Sequence, residues 1–281
     1  MLDIAIQGIK GCFHDAAAHS YFMQRGREIT VSPCESFRSL FASLANNPEQ
    51  LGIVAIENTI AGPLLQNHEL LRQSGLTIVG EHKMRISHVL CALPGQHITD
   101  ITEVHSHPMA LMQCEEYLLT LPGLKLVEDF DTAGSAADIA AQRIDGRAAV
   151  CGRYAAELYG LSMLAEGIET NKRNFTRFLI LAHPEQKIFE TADPDKASIV
   201  LSLPHSQGAL SKVLAILSFY DLNLTKIQST PIIGREWQYR FYIDLTFSDR
   251  QRYEDAMTAI RPLVAEFRQL GLYRDDSEPT N

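Results

Sequence analysis

Residues 53–62, IVAIENTIAG, followed by residues 63–71, PLLQNHELL, decide the fold. An apolar strand runs into a short polar loop carrying Glu57, Asn58, Thr59 and Gly62, and an amphipathic helix follows, with Pro63 at what reads as its first position. The same order recurs in IAIQGIKG before HDAAAHSYF, ITEVHSHP before MALMQCEEYLL, LVEDFDTAG before SAADIAAQR, and AAVCG before RYAAELYGL. These segments are not sequence repeats, but their alternation predicts α/β architecture with largely parallel strands. Pro108 also stands at a first helical position, and Ser32-Pro33-Cys34-Glu35 has the form of a capping box ahead of FRSLFASLA. In an open parallel sheet the loops after the strands gather on one edge, where helix N-termini offer free N–H groups to anions. An acidic small molecule is therefore the expected ligand, even for a chain of net charge −9.

The pattern changes within HPEQKIFETADPDKA, a stretch with proline and charge but no apolar periodicity, which reads as a linker over residues 183–196. Beyond it, ASIVLSL, NLTKIQSTPII and WQYRFYIDLTF read as strands and GALSKVLAILSFY and RQRYEDAMTAI as helices, with VAEFRQLG as a last short strand. That order, βαββαβ, predicts a ferredoxin-like unit. The ending DDSEPTN reads as a disordered tail.

Composition narrows the partners. With 25 Lys and Arg against 34 Asp and Glu, and no basic run, neither nucleic acid nor an anionic membrane is an expected partner. No apolar run approaches the roughly 18 residues of a spanning helix, and MLDIAIQGIKG lacks a basic segment ahead of its apolar stretch, so a cytoplasmic location is expected. Five cysteines without a C-x-x-C pair fit reduced thiols.

Several polar strings are candidates for chemistry. Asn171-Lys172-Arg173-Asn174-Phe175-Thr176-Arg177-Phe178 sets an Asn, a Thr and an Arg just before an apolar strand, although on spacing alone a surface turn is the simpler account. On a strand, Thr176 and Phe178 share one face and Arg177 takes the other. Glu57-Asn58-Thr59 can present an amide and a hydroxyl to a ligand, or cap a helix. His105-Ser106-His107-Pro108 offers two imidazoles without a carboxylate or thiol beside them in sequence, a weak metal set. Gly8-x-x-Gly11 lacks the third glycine of a dinucleotide loop.

Taken together, these segments resemble the prephenate dehydratase family over nearly the whole chain. GIKGCFHDAA is similar to its N-terminal Gly-x-x-Gly loop, IVAIENTIAG to its Ile-Glu-Asn-Ser/Thr motif, and VHSHPMALMQCEEYL to its Ser-His-Pro and Gln-Cys segment; DTAGSAA and NFTRF complete the set. The resemblance implies two α/β lobes over residues 1–183, similar to periplasmic ligand-binding proteins, with the active site in the cleft between them. It implies decarboxylation and dehydration of prephenate to phenylpyruvate in L-phenylalanine biosynthesis, with no cofactor and no metal. Thr176 matches the essential threonine, Asn58, Ser106 and Gln113 match polar cleft residues, and Thr59 and Arg177 are adjacent candidates, Arg177 for the pyruvyl carboxylate.

Residues 197–275 resemble an ACT domain, which implies L-phenylalanine as allosteric effector and a homodimer or homotetramer. GALSKVL is similar to the family's Gly-Ala-Leu stretch, placing the effector near Gly208, Ala209 and Leu210. Gln228, Ser229 and Thr230 occupy the family's second effector motif, with Thr230 where that motif has arginine. Arogenate dehydratase, a non-catalytic aromatic-acid sensor and a solute-binding protein for import are the other activities open to such a chain.

Overall fold

The computed structural model describes residues 1–186 and 193–276. Lobe 1 begins with β1 (Leu2–Gln7), α1 (Phe13–Met23), β2 (Ile29–Cys34), α2 (Phe37–Asn46), β3 (Leu51–Asn58), the short β4 (Gly62–Pro63), α3 (Leu65–Ser74) and β5 (Thr77–Arg85). The chain then crosses into lobe 2: β6 (Val89–Ala92), β7 (Glu103–Ser106), α4 (Pro108–Gln113), α5 (Glu115–Leu118), β8 (Lys125–Glu128), α6 (Thr132–Gln142), β9 (Arg147–Cys151), α7 (Arg153–Leu158) and β10 (Ser162–Glu166). It crosses back as β11 (Phe175–Ala182), and continues as β12 (Lys196–Ser202), α8 (Ala209–Phe219), β13 (Asn223–Pro231), β14 (Tyr239–Thr246), α9 (Arg250–Ile260) and β15 (Glu266–Tyr273).

This is the expected α/β chain with two lobes and a βαββαβ unit, yet its first sheet is more mixed than the alternation suggested. β1 runs parallel to β2 and β3, while β11 is antiparallel to both β3 and β5. The reason is the excursion into lobe 2, which returns the chain to lobe 1 from the opposite end. Lobe 2 has its own sheet in the order β10-β6-β9-β7-β8.

Two helix starts differ from the sequence expectation. Ser32 and Pro33 lie inside β2, an edge strand, where proline's missing N–H is tolerated. The capping box sits four residues on, where the Ser36 hydroxyl accepts from the Ser39 N–H and the Ser39 hydroxyl accepts from the Ser36 N–H. Pro63 belongs to β4, paired with Glu57, and α3 starts two residues later. Pro108 does open α4, after His107 as cap.

Four apolar clusters hold the described residues. One joins the lobes, packing Ile4, Ile6, Tyr21 and Phe22 with Val89, Cys91, Ala133 and Ala149. On the other face of the first sheet, Val54, Ile56, Ile78 and Leu179 pack under α2 and α3 and also against Val200, Tyr242, Leu270 and Tyr273. The βαββαβ unit thus shares a core with lobe 1 besides having its own. Its sheet continues into lobe 1 where β15 meets β5 at Gly271 and Ile78, and a Cβ at Gly271 would overlap the Ile78 carbonyl. Of the expected linker, residues 187–192 lie outside the described residues, as do residues 277–281 of the expected tail. Asp275 and Asp276 are not free: Asp275 bonds Lys83 and Lys196, and Asp276 accepts from the Lys83 N–H and meets His82.

This shared face makes a pH prediction. His68 of α3 is buried, with Nδ1 at 3.1 Å from the Leu64 carbonyl and its ring edge-on to Tyr242. Burial first, and the neighbouring Lys226 next, lower its pKa from 6.5 to about 4. The unfolded chain therefore takes up this proton first, so His68's contribution to stability is complete above pH 6.5 and is lost as pH falls towards 4. Denaturant titrations at pH 7, 6 and 5 should show a decline of at most ~1.4 kcal/mol per pH unit from this group. His68→Gln should flatten that decline; an unchanged slope would assign it to other groups.

Candidate active site

A cavity of about 330 Å³ opens between the lobes, below the ends of β3 and β11. Asn58, Asn174, Thr176 and Phe178 line it from lobe 1, Gln113, Asp131 and Thr132 from lobe 2, and Cys12, Phe13 and His14 from the start of α1. The first turns of α1 and α6 therefore both face it, as the strand–loop–helix pattern requires. Asp131 caps α6 by accepting the Gly134 N–H, and it is the only charged side chain among the described residues lining the cavity.

Thr176 and Asn58 stand directly opposite each other in the antiparallel β11–β3 ladder. The Asn58 side-chain NH2 donates to Thr176 Oγ1 at 2.9 Å and to Asn174 Oδ1 at 2.7 Å, while its Oδ1 accepts the N–H groups of Ile60 and Ala61. Asn174 in turn donates to Gln113 Oε1 at 3.2 Å, an oxygen that also lies 3.1 Å from His88 Nε2. The chain of amides runs from lobe 2 to lobe 1 and ends on Thr176. Because Thr176 Oγ1 accepts from Asn58, its own hydrogen remains to be donated elsewhere, and the cavity lies in front of it. Thr176 is 8% exposed.

Two cavity groups that suggest a nucleophile or a base have other duties. Burial chiefly, with Asp131 adding, pushes the Cys12 thiol up to about 12, so it stays protonated. Desolvation lowers His14 to about 4, and its Nε2 accepts the Ala55 N–H at 3.2 Å.

The structure brings Asn58, Gln113 and Thr176 together in this cavity; Thr59 and Arg177 line a neighbouring cavity of about 390 Å³ with Asn58 and Thr176, and Ser106 lines neither. Ser106 is fully buried and donates to the Val150 carbonyl at 2.5 Å, so it serves the lobe 2 sheet and does not reach the cavity. The Thr59 hydroxyl donates to the Arg173 carbonyl and accepts the Phe175 N–H, which ties the 171–174 loop to β3. Arg177 faces away from the cavity: Nε donates to Glu57 at 2.5 Å, Nη1 to Glu81 at 3.0 Å and Nη2 to Asp244 at 2.5 Å. With every nitrogen committed to a carboxylate in a buried site, Arg177 is not placed to hold a substrate carboxylate, which corrects the sequence expectation.

Asn174 stands in the NFTRF string but is not among the expected cleft residues, although it lies two positions before Thr176, the spacing that shares a strand face. Asp131 and Thr132 sit at the loop-to-helix step where the α/β pattern places ligands, a second available signal. His105 lies between Glu103 and Asp129, and His107 accepts the Met109 N–H. Among the described residues no group of three or more His, Cys, Asp or Glu side chains is arranged to hold a metal ion. Nor, among them, is any helix long and apolar enough to cross a membrane.

In the βαββαβ unit, Ala209 and Leu210 line a cavity of about 140 Å³ with Trp237, Tyr239 and Phe241, just after Gly208. Gln228 and Thr230 pair with Tyr242 and Arg240, on the sheet face turned from α8, while Ser229 pairs with Phe241 on the α8 face. One chain therefore does not gather these six residues into a single site.

The prephenate dehydratase family model matches residues 4–186. Arogenate dehydratase 2 of Petunia hybrida is 36% identical over 98% of this chain and 72% of its own length. The crystal structure of prephenate dehydratase from Arthrobacter aurescens in complex with L-Phe superposes with a TM-score of 0.84 at 27% identity, covering 100% of this chain and 92% of that one. A structure of GqqA, described as a novel type of quorum quenching acylase, superposes with a TM-score of 0.85 at 30% identity over 98% of both chains.

Proposed function

The chain belongs to the prephenate dehydratase family, and from that membership we propose that it converts prephenate to phenylpyruvate, carbon dioxide and water in the cleft that holds Thr176. In this reaction the ring carboxylate leaves as carbon dioxide, its bonding pair moves through the ring, and the ring hydroxyl departs with a proton as water. Aromatisation drives the step, so no cofactor or metal is invoked. The observation that carries the reading is the Thr176 hydroxyl, oriented by Asn58 with its own hydrogen left for the cleft. A donor at that point assists a poor leaving group, an effect of roughly 10²–10⁴-fold for a well-placed acid.

The cleft wall favours the other half of the reaction. Phe13, Ala55, Leu64, Ile86 and Phe178 supply apolar surface, and neither lysine nor arginine lines the cavity among the described residues. A ring carboxylate left unpaired against such a wall is destabilised relative to neutral carbon dioxide. The pyruvyl carboxylate then faces the first turn of α1, since the Asp131 carboxylate already caps α6.

Arogenate dehydration is the second reading. Asp131, a carboxylate on the cavity wall, suits the ammonium that replaces the keto group in arogenate, and the Petunia relative bears that activity's name. Acyl amide hydrolysis is less well supported, because the Cys12 thiol is held protonated and His14 Nε2 is already occupied. For the βαββαβ unit we propose the role of an ACT domain over residues 197–275, binding L-phenylalanine near Ala209 and Leu210 in a homodimer or homotetramer. The L-Phe complex of the Arthrobacter protein supports an effector of this kind. Thr230 in place of a cation should weaken its inhibition.

The test is to incubate the purified chain separately with prephenate, arogenate and an N-acyl amino acid, with and without L-phenylalanine, following each product. Phenylpyruvate from prephenate, at a rate reduced by L-phenylalanine, is expected. Phenylalanine from arogenate alone would move the chain to the second reading, and amide cleavage alone would overturn both.

A further inference from the structure

Behind the cleft, on the opposite face of the β3–β11 ladder, four cations and four carboxylates among the described residues form one knot. Lobe 1 supplies Arg177, Lys83, Glu57 and Glu81; the βαββαβ unit and the residues flanking it supply Lys196, Lys226, Asp244 and Asp275. Among the described residues, cations and carboxylates of the knot are equal in number. Asp244 is held on its second oxygen by the Ser198 hydroxyl, which also meets the Tyr273 hydroxyl at 2.7 Å.

The register of the ladder gives this knot a bearing on the cleft. Glu57 pairs with Arg177 immediately beside the Asn58–Thr176 pair, and just beyond them the ladder is bulged, with Phe178 opposite Ala55. Backbone pairing alone is therefore weakest where Asn58 must meet Thr176. Two ion pairs from outside the lobes close on this point, Asp244 with Arg177 at 2.5 Å and Lys226 with Glu57 at 2.7 Å.

We propose that Arg177 is a positioning residue, and that Asp244 and Lys226 act through it and through Glu57 to hold the Asn58–Thr176 contact in register. The βαββαβ unit is then part of the working active site, and any shift of that unit relative to lobe 1 reaches the Thr176 hydroxyl through these two bridges. The inference rests on the dehydratase reading given above.

Asp244→Asn keeps shape and the Ser198 contact while removing the charge. Expected is a fall in kcat of about tenfold with KM within about twofold, and no further fall when Asp244→Asn is added to Thr176→Ala, because the hydroxyl it positions is already gone. Equal losses in both backgrounds, or none in either, would overturn the proposal. Hydrogen exchange supplies a readout independent of turnover: amides over residues 53–60 and 171–182 should exchange about tenfold faster in Asp244→Asn, with β1 and β2 unchanged. If the wild-type chain turns over neither substrate, the dehydratase reading fails, and unchanged exchange in those two segments would separately refute the positioning role. Should Asp244→Asn fail to fold, Lys226→Gln tests the second bridge by the same measurements.

Discussion

Thr176→Ala should fold, bind substrate with a KM within a few-fold of wild type, and lose about 10²–10⁴-fold in kcat. The asymmetry follows from when the contact matters. In the ground state the ring hydroxyl is a neutral group that many donors can satisfy, and it gains negative charge only as its bond to the ring breaks. An interaction that strengthens in this way acts on the rate and little on affinity. Thr176→Ser keeps the hydroxyl and should retain most of the rate if Asn58 still donates to it. Stopped-flow turnover of the three proteins decides the matter: comparable rates in all would remove the hydroxyl from the reaction.

Arg177→Ala should act on folding and not on substrate affinity. The substitution leaves Glu81, which is 1% exposed, and Asp244, which is 7% exposed, short of the cation they share. Removing one partner of a buried ion pair typically destabilises by about 3–5 kcal/mol, because the remaining charge has lost both water and its counterion. The remaining lysines of the knot, Lys83, Lys196 and Lys226, are held on Glu81, Asp275 and Glu57. Arg177→Lys should lie between, since one ammonium replaces three directed N–H donors. Urea unfolding measures this directly. A variant of normal stability with a strongly raised KM would return Arg177 to the substrate and contradict its place in the knot.

How much of this was legible in the sequence depends on the range of the interaction involved. Strand, loop and helix alternate by local rules, so the α/β class and the βαββαβ order could be read along the chain, while the division into two lobes came from the family resemblance. Asn58, Gln113 and Thr176 came from the family resemblance and not from position alone, and the structure does set them in one cavity, Asn58 and Thr176 from paired strands and Gln113 from the end of α4. Arg177 was misplaced because a strand turns successive side chains to opposite faces, and its partners Glu57, Glu81 and Asp244 come from three distant segments. Ser106 was misplaced for a related reason. It ends a strand, where a ligand-binding serine could stand, but its hydroxyl is consumed by Val150 on a strand 44 residues away. The box expected at Ser32 failed on a different ground, since an edge strand accepts Pro33 and lets β2 run on to Cys34. Asp275 and Asp276 looked like the start of a polar tail, and only their three-dimensional neighbours Lys83, Lys196 and His82 show why they are held.

The most direct test of the account is a crystal structure of this chain bound to a prephenate analogue that keeps the ring hydroxyl but cannot lose its carboxylate. The account predicts that hydroxyl within about 3.2 Å of Thr176 Oγ1, with the ring against Phe178 and the pyruvyl carboxylate at the first turn of α1. A ring hydroxyl pointing away from Thr176, or a carboxylate bound to Arg177, would contradict it.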